Sequence, residues 1–490
     1  MANGGMSAWV SEGSWFAKAR ALLAERISPS LLERASRLGV LLFFIGLFVL
    51  HASMLRPLLQ NGDSAVYNQQ IETRDLSHRT THVGYFALGV AFNELLPFGT
   101  DLNMNVMVLT VGLLGLAAVY STTKLLSESR WAALGSVLLA LGLTAEIRGM
   151  LLSEVDGVSV AFVAVAFACF QRGASLAAGL LFGFAVLVTP LSGPLVVLFL
   201  LTGGTSPTGN VGVLRYRMRS LFKFGAGALL VFAPPVLIHY QDYVFGPRGL
   251  VNAPRAALSV SERIAHSWHF IAKQLGLMLP LYVAGVFLCL ASPKSKRARQ
   301  PALALLISIG LMAAVGERFL DVPVQLPNLV LFGILPAVAF ASSGRAVRIG
   351  LFALFAVGLL NTRTSYANVL SDIRARAKDR ALCLAIRAQS GPRAPVLVAL
   401  SGFSQSRIFE RFTSGPHQPA LALDWSSFIR HQERWLDPAE QTRIWFFRRV
   451  QPGKVAGLLT LYSLESRRIE GRRLQVLVPF PVPVPPQAGP

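Results

Sequence analysis

Long apolar runs recur along the first 360 residues of the chain, separated by short polar segments. Apolar runs of about 18 residues or more are typical of transmembrane helices. The pattern predicts eleven spans, near residues 38–57, 103–124, 131–147, 155–170, 174–189, 191–203, 221–239, 268–291, 302–316, 325–342 and 347–362.

One stretch of this pattern is interrupted. The sequence "TPLSGP", with Pro190, Gly193 and Pro194, breaks the region 174–203. Proline and glycine inside an apolar segment interrupt a regular helix. The region is therefore predicted to form either two short helices or a kinked, re-entrant hairpin, and the span count carries an error of one or two.

The pattern changes after residue 362. The segments "APVLVAL", "ALALDW", "RIWFFRRV" and "GLLTLYSL" predict short strands, and "SQSRIFERF" and "PAEQTR" predict helix starts between them. We expect a small α/β domain over 363–478, followed by a proline-rich tail, 479–490, that is disordered or extended.

Composition agrees with a membrane protein. The 490 residues are 53% hydrophobic and 14% charged, with a mean hydropathy of +0.51, whereas soluble domains carry roughly 25% charge. The predicted fold class is an all-α polytopic membrane bundle with a small α/β domain at its C-terminus. Residues 1–37 contain no cleaved signal pattern and predict an amphipathic cytoplasmic helix, or alternatively a helix that binds a partner.

Cysteines and net charge exclude further classes. Cys169 and Cys289 lie in apolar spans and Cys383 stands alone, so the sequence favours neither a disulfide framework nor a cysteine metal site. The net charge of +21 comes mostly from short loops and the C-terminal region. In so apolar a chain, this charge indicates anionic lipid headgroups or phosphates as partners rather than nucleic acid.

Basic clusters orient the bundle. The segments "RYRMRSLFK", "KSKRARQ" and "RAVR" fall on the side of the N-terminus, which is therefore predicted to be cytoplasmic. The acid-bearing loops 58–102, 148–156, 240–267 and 317–324 then face outward.

An odd number of spans places the C-terminal domain outside as well. Its 19 Lys and Arg against 9 Asp and Glu, a net +10, do not oppose this, because the inside-positive bias weakens for whole translocated domains. The absence of Asn-x-Ser/Thr sequons favours a bacterial plasma (inner) membrane. The basic domain either binds an acidic glycan or anionic lipid, or only covers and stabilises the bundle.

The first outer loop holds the leading candidate for chemistry. In "NGDSAVYNQQIETR", Asn-Gly predicts a turn, and an interfacial helix is expected to follow. Asp63 stands where a helix N-cap belongs, so it is either a cap, a reactive carboxylate, or both. Other charged side chains collect on the predicted outer face, where they are costly unless paired or functional: Arg148, Glu154, Asp156, Glu317, Arg318 and Asp321.

The order of these segments resembles the GT-C superfamily of membrane glycosyltransferases, within it the protein O-mannosyltransferase-like and dolichyl-phosphate-mannose-dependent types. "NGDSAVYNQQ" is similar to the acidic motif of that superfamily's first loop, and "THVGYFALG" to its H-P-P-G-Y-x-L block. "LLSEVDGVSVAF" resembles the second-loop acid motif, and "ERFLDVPVQLPNL" the late R-Y-x-x-P-x-x-P block. Together the four motifs cover roughly residues 38–342.

The resemblance implies an inverting transfer of a sugar from a polyprenyl-phosphate donor, with Asp63 as the base. Glu154 and Asp156 would orient the acceptor, bind the sugar or hold a divalent cation, and Tyr67 and His82 are further candidates for acceptor or sugar binding. His82 is alternatively an interfacial hydrogen-bonding group. Ser64 stands where many members carry a second acid, which leaves metal use open.

Arginines are the candidates for binding the donor phosphate, because guanidinium groups make bidentate phosphate contacts. The candidates are Arg318, Arg148, Arg248 and Arg255. Arg148 could instead pair with Glu154, and Arg318 could extend to the membrane surface beside Glu317. The loop around Arg248 and Arg255 has the proline and glycine content of a mobile cover over a lipid donor.

Two other classes compete with this interpretation. A transporter or lipid flippase would show symmetrical broken segments and acids in mid-span, whereas here the acids gather at one face and no repeat is evident. A membrane acyl- or phosphotransferase is disfavoured because His239, His266 and His269 form no catalytic or zinc-binding spacing. The predicted partners are a lipid-linked sugar donor, the bilayer, and a glycan, lipid or protein acceptor.

Overall fold

A computed structural model describes residues 29–74, 82–202, 213–238, 259–291, 296–315, 329–390, 395–400, 402–414, 420–436 and 442–480. The chain divides into two compact units, residues 1–53 and 54–490. Helix α1, Pro29–Met54, makes up the whole described part of the first unit and ends one residue beyond it. All other elements belong to the second unit.

The described part of the second unit is mainly helical as far as residue 390. Its first eight helices are α2 Gly62–Thr73, α3 Val83–Leu95, α4 Thr100–Ser127, α5 Arg130–Ala140, α6 Thr144–Leu151, α7 Val155–Gln171, α8 Ser175–Val188 and α9 Val196–Thr202. They are followed by α10 Val213–Ile238, α11 Val260–Leu275, α12 Leu279–Ala291, α13 Lys296–Val315, α14 Ile334–Ser342 and α15 Arg345–Ser390, with a 3-10 turn, Gly276–Met278, between α11 and α12.

Several of these helices are suited to a bilayer. Among the described residues, five helical segments are long and apolar enough to cross a membrane, or six if the bent pair α5 and α6 counts as one span. Shorter apolar helices of 10–17 residues accompany them, α7 and α8 among them. The chain is therefore a polytopic membrane protein, and the count of eleven spans stays a prediction.

The prediction of a single straight span over 131–147 is wrong. The segment is broken into α5 and α6, which meet at an angle of 81°. At the break, the carbonyl of Gly142 accepts hydrogen bonds from Asn361 Nδ2 (2.9 Å) and Ser365 Oγ (2.8 Å) of α15. The polar side chains of α15 therefore satisfy a carbonyl that a continuous helix would have satisfied internally.

The region 174–203 forms two separate helices, which is the first of the two predicted arrangements. Helix α8 ends at Val188, a 3-10 turn runs over Pro190–Leu195, and the short helix α9 begins at Val196. The prolines of "TPLSGP" lie in the turn, where their missing N–H groups cost no α-helical hydrogen bond.

Helix α15 is 46 residues long and extends well past the predicted end of the last span at residue 362. At 1.5 Å per residue it is about 70 Å long, roughly twice the apolar thickness of a bilayer. The first 28 residues of the segment predicted as the α/β domain, 363–390, are therefore the second half of a helix that starts in the apolar region. The assignment of 363–478 as one domain stays a prediction.

The remaining described chain forms a mixed sheet with helices. Its strands are β1 Val396–Val398, β2 Leu421–Leu423, β3 Ile444–Phe446, β4 Tyr462–Ile469 and β5 Arg472–Pro479, with the helices α16 Gly402–Thr413 and α17 Trp425–Arg430 and 3-10 turns over Gln432–Leu436 and Pro452–Thr460. The strand order is β2-β1-β3-β5-β4, parallel at β2-β1-β3 and antiparallel at β3-β5-β4. The four predicted strands are present, "GLLTLYSL" only from Tyr462 onward, and β5 is a fifth strand that was not predicted. Of "PAEQTR", residues 438–441 lie outside the described residues.

The sheet packs against the first outer loop. One of its two hydrophobic clusters contains Leu397, Phe409 and Trp445, and it also takes in Leu59 and Ala65 from the loop and from α2. Because these apolar side chains share one core, the helix that carries Asp63 is seated on the C-terminal sheet.

Candidate functional site

Asp63 lies in the first turn of α2, but it is not the cap of that helix. Asn61 holds the cap position, and its Oδ1 accepts a hydrogen bond from the backbone N–H of Ser64 at 2.8 Å. The interpretation of Asp63 as the N-cap is therefore wrong. Its partly buried carboxylate is at the helix end where the backbone dipole favours negative charge.

The loop before α2 is fixed to the loop before α7. Leu59 and Ser153 form a parallel backbone bridge, and Ser64 Oγ donates a hydrogen bond to the Ser153 carbonyl at 2.6 Å. The fully buried Asn105 of α4 connects both loops. Its Nδ2 donates to the Leu58 carbonyl at 2.9 Å, and its Oδ1 accepts from the Ser153 N–H at 2.7 Å. The two predicted acidic loops are thus joined by backbone contacts.

Glu154 is the acid that this arrangement encloses. Its carboxyl accepts hydrogen bonds from Gln60 Nε2 and from Asn61 Nδ2, the latter at 3.3 Å. Burial, and to a smaller extent the neighbouring Asp156, raises the pKa of Glu154 to about 8, against the opposing effect of Arg148. A carboxyl with this pKa is mostly protonated at neutral pH, so it can donate a hydrogen bond to a substrate oxygen.

Arg148 pairs with an acid outside the predicted site. Its Nη2 lies 3.2 Å from Asp372 Oδ2 of α15, so the predicted alternative of an Arg148–Glu154 pair is replaced by an Arg148–Asp372 pair. A close contact of α6 with α7 places Arg148 beside this acid loop. Gly149 and Gly157 meet backbone to backbone, and an ideal Cβ on Gly157 would lie 2.5 Å from the Gly149 carbonyl oxygen.

Tyr67 and His82 lie together in an aromatic group on the apolar side of α2. Their ring centroids are 5.4 Å apart, and Tyr67 is 5% exposed. The Nδ1 atom of His82 is 2.7 Å from the carbonyl oxygen of Val188, to which it donates. His82 therefore connects α3 to the end of α8. This contact agrees with the alternative in which His82 is an interfacial hydrogen-bonding group. A role of either ring in sugar or acceptor binding stays a prediction.

The structure brings together the loops that carry Asp63, Arg148, Glu154 and Asp156. The other predicted arginines, Arg248, Arg255 and Arg318, lie outside the described residues, as do Glu317 and Asp321. Among the described residues, no three His, Cys, Asp or Glu side chains lie close enough together to hold a metal ion. The sequence left open whether the protein uses a divalent cation, and the described part of the chain contains no such group of ligands for one.

Asp372 and Arg376 of α15 were not among the predicted site residues. Arg376 donates hydrogen bonds to the carbonyls of Leu59, at 2.7 Å, and Gln60. The only available signal was an Asp-Arg pair at i,i+4 spacing in "SDIRARAKDR", a spacing that usually marks an exposed helix face.

Arg263 of α11 was also missed. Its side chain is 8% exposed, and its Nε has no hydrogen-bond partner among the described residues. Ser267, one turn later, is 1% exposed, and its hydroxyl is likewise unsatisfied there. A buried cation favours an anionic partner, and no acid among the described residues pairs with Arg263, so this end of α11 is a candidate for binding an anion.

Two crystal structures of one membrane protein, ArnT, share this architecture. The crystal structure of ArnT from Cupriavidus metallidurans in the apo state matches with a TM-score of 0.58 and 14% identity, over 90% of this chain and 98% of that chain. The structure of the same protein bound to undecaprenyl phosphate matches with a TM-score of 0.59 and 14% identity, over 92% and 99%. The archaeal oligosaccharyltransferase AglB from Archaeoglobus fulgidus, in complex with an inhibitory peptide and a dolichol-phosphate, matches at 0.47 and 13%, over 82% and 69%.

At sequence level the chain has no comparable match. No protein-family model fits it, and no curated protein matches it significantly. At 14% identity the similarity to ArnT is one of fold, and it extends over nearly the full length of both chains. The chain therefore has the membrane fold of ArnT, in agreement with the predicted all-α membrane bundle that carries a small C-terminal α/β part.

Proposed function

We propose that this protein is a membrane glycosyltransferase that moves a sugar from a polyprenyl-phosphate donor to an extracytoplasmic acceptor. The observation that carries the proposal is the junction of the Asp63 loop with the Glu154 loop, in a chain with the fold of ArnT. One of the ArnT structures is bound to undecaprenyl phosphate. A sugar linked to a lipid phosphate of this kind would supply both the glycosyl group and the phosphate leaving group in one molecule.

The proposed reaction is a single displacement. Asp63 takes the proton of an acceptor hydroxyl, which requires an approach of about 3 Å. The hydroxyl oxygen attacks the anomeric carbon from the face opposite the lipid phosphate. The bond from that carbon to the phosphate oxygen breaks, the bonding electron pair leaves with the polyprenyl phosphate, and the anomeric configuration inverts.

Glu154 has a different role from Asp63 in this proposal. Its protonated carboxyl, held by Gln60 and Asn61, donates a hydrogen bond to an oxygen of the sugar or of the acceptor. Asp156, in the first turn of α7, is a further candidate for orienting the acceptor. Two carboxyls in different surroundings can thus act as proton acceptor and hydrogen-bond donor at one pH.

The leaving phosphate needs cations or hydrogen-bond donors around it. We propose Arg263 for this role because its buried guanidinium has no acidic partner among the described residues. Arg248, Arg255 and Arg318 remain candidates from the sequence. Arg148 is also a candidate, and it forms an ion pair with Asp372.

The reaction is proposed to take place on the outer side of a bacterial inner membrane. This placement is supported by the basic segments on the opposite side of the predicted topology, and it puts the C-terminal sheet on the same side as Asp63. The acceptor is a glycan, lipid or protein exposed on that side.

Purified protein in proteoliposomes tests the proposal. Radiolabelled polyprenyl-phosphate sugars are offered with membrane lipid and protein fractions as acceptors, and both the new glycosidic bond and free polyprenyl phosphate are measured. The proposal expects the two products in equal amounts. Movement of labelled lipid across the bilayer with no new glycosidic bond would contradict it and would favour a flippase.

A further inference from the structure

The outer half of α15 contacts the first outer loop through Arg376. One guanidinium nitrogen of Arg376 donates to two successive backbone carbonyls, those of Leu59 (2.7 Å) and Gln60. Hydrogen bonds from a charged donor are roughly twice as strong as neutral ones. Two adjacent acceptors also fix the orientation of the peptide plane between them, so this contact determines how the chain enters α2.

Asp372, one turn earlier on α15, forms ion pairs with two arginines. Its Oδ1 is 3.4 Å from Arg376 Nε, and its Oδ2 is 3.2 Å from Arg148 Nη2 of α6. The three side chains are between 23% and 35% exposed, so water screens these ion pairs less than it screens pairs on an open surface. One carboxylate therefore orients the guanidinium that contacts the loop and the guanidinium beside the second acid loop.

The residues that Arg376 fixes lead directly to Glu154. Gln60 supplies both a carbonyl to Arg376 and a side-chain amide to the Glu154 carboxyl, and the next residue, Asn61, donates to the other carboxyl oxygen. Arg148 and Arg376 both act on the charge of Glu154, and each opposes the effect of burial on its pKa. The contacts thus run from α15 through the loop backbone to the second acid.

We propose that Arg376 and Asp372 are positioning residues for the proposed transfer reaction, which hold the first outer loop so that Glu154 and Asp63 face one substrate. This inference rests on the proposed function, in which both carboxyls act on the reacting sugar and acceptor. It gives the C-terminal part of the chain a role in catalysis beyond covering the bundle. Neither residue needs to touch the substrate.

The kinetic test compares Arg376→Gln with Arg376→Lys and with the matched control Arg374→Gln. Arg374 is exposed on the same helix, and its side chain forms no ion pair with any residue that the structure describes. Arg376→Gln is expected to lower kcat by about tenfold to a hundredfold, as small displacements of catalytic groups do, with the KM for the lipid donor within about twofold of wild type. Arg376→Lys, which keeps the charge, is expected to recover part of the loss.

The pH profile adds a measurement that a purely structural contact would not change. The charged groups that act on the pKa of Glu154 are Asp156, Arg148 and Arg376; the amides of Gln60 and Asn61 donate hydrogen bonds to its carboxyl, and Tyr85 lies near it. Without the Arg376 charge, the pKa of Glu154 rises, so the alkaline limb of kcat moves to higher pH in Arg376→Gln and stays in place in Arg374→Gln. The positioning role would be overturned if folded Arg376→Gln had the same kcat as Arg374→Gln and the same alkaline limb in the pH dependence of kcat.

Hydrogen exchange of the backbone amides at 59–62 separates this inference from the proposed function. The positioning contact predicts faster exchange there in Arg376→Gln than in Arg374→Gln, whether or not a suitable donor is in hand. Equal exchange rates in the two variants would reject the inference. Absence of transfer by the wild-type protein with every donor offered would reject the proposed function independently.

Discussion

At the scale of single residues, two acids in neighbouring loops have different surroundings. Asp63 is partly buried in the first turn of a helix, whereas Glu154 is held by two amides where burial raises its pKa to about 8. The sequence named both acids as candidates, because carboxylates are scarce in so apolar a chain. It could not identify Asp372 or Arg376, because their contacts join residues more than 200 positions apart and leave no local pattern.

The raised pKa of Glu154 predicts how stability depends on pH. Since the folded pKa lies above the ordinary value of 4.5, the protein loses stability as pH rises from about 4.5 towards 8. The loss is at most about 1.4 kcal/mol per pH unit. The variant Glu154→Gln cannot ionise, so its melting temperature relative to wild type should increase between pH 5 and 8. A difference in melting temperature that is constant over this range would show that Glu154 is not the buried acid described.

At the scale of elements, close helix contacts position the acid loops. The bend between α5 and α6 directs α6 towards α7, and Gly149 and Gly157 let these two helices touch through their backbones. The apolar pattern predicted α7 well but not the bend. Leucine, glycine and leucine at 141–143 look like an apolar helix in sequence, and the polar partners that stabilise the break, Asn361 and Ser365, come from α15.

The variant Gly157→Ala tests the contact of α6 with α7. Its Cβ would lie 2.5 Å from the Gly149 carbonyl oxygen, so the helices must separate, and the expected cost is about 1–3 kcal/mol of unfolding free energy. Gly225→Ala on α10 is the matched control, because a Cβ there meets no atom within 4 Å. Thermal unfolding in detergent measures both variants. Equal melting temperatures would contradict the backbone contact.

At the scale of the whole molecule, the C-terminal sheet and the first outer loop form one structure. Besides the shared hydrophobic cluster, Arg411 of α16 contacts Asp101 of α4 at 2.8 Å and Glu72 of α2 at 3.1 Å. The sequence predicted a separate domain after residue 362 because the apolar run ends there. The hydropathy of the sequence shows where the apolar part of the helix ends. It does not show that the same helix continues as far as residue 390.

The variant Arg411→Gln tests this connection. The Arg411 side chain is 14% exposed and that of Asp101 is 16% exposed, so removal of the cation leaves a sheltered carboxylate without its charge partner. We expect a loss of about 1–3 kcal/mol of stability and faster proteolysis within residues 395–480. The control is Arg407→Gln, whose ion pair with Glu410 involves a side chain that is 49% exposed. If both variants resist protease equally, the ion pairs of Arg411 do not hold the sheet in place.

The central claim is that Asp63 takes the acceptor proton in a glycosyl transfer. The most direct measurement is the single-turnover rate of polyprenyl phosphate release by wild type and by Asp63→Asn, with Asp424→Asn as a control because asparagine also caps a helix. We predict that Asp63→Asn lowers the rate by about 10²–10⁴-fold with unchanged donor binding and melting temperature, and that the control keeps the wild-type rate. A folded Asp63→Asn protein that releases polyprenyl phosphate at the wild-type rate would contradict the claim.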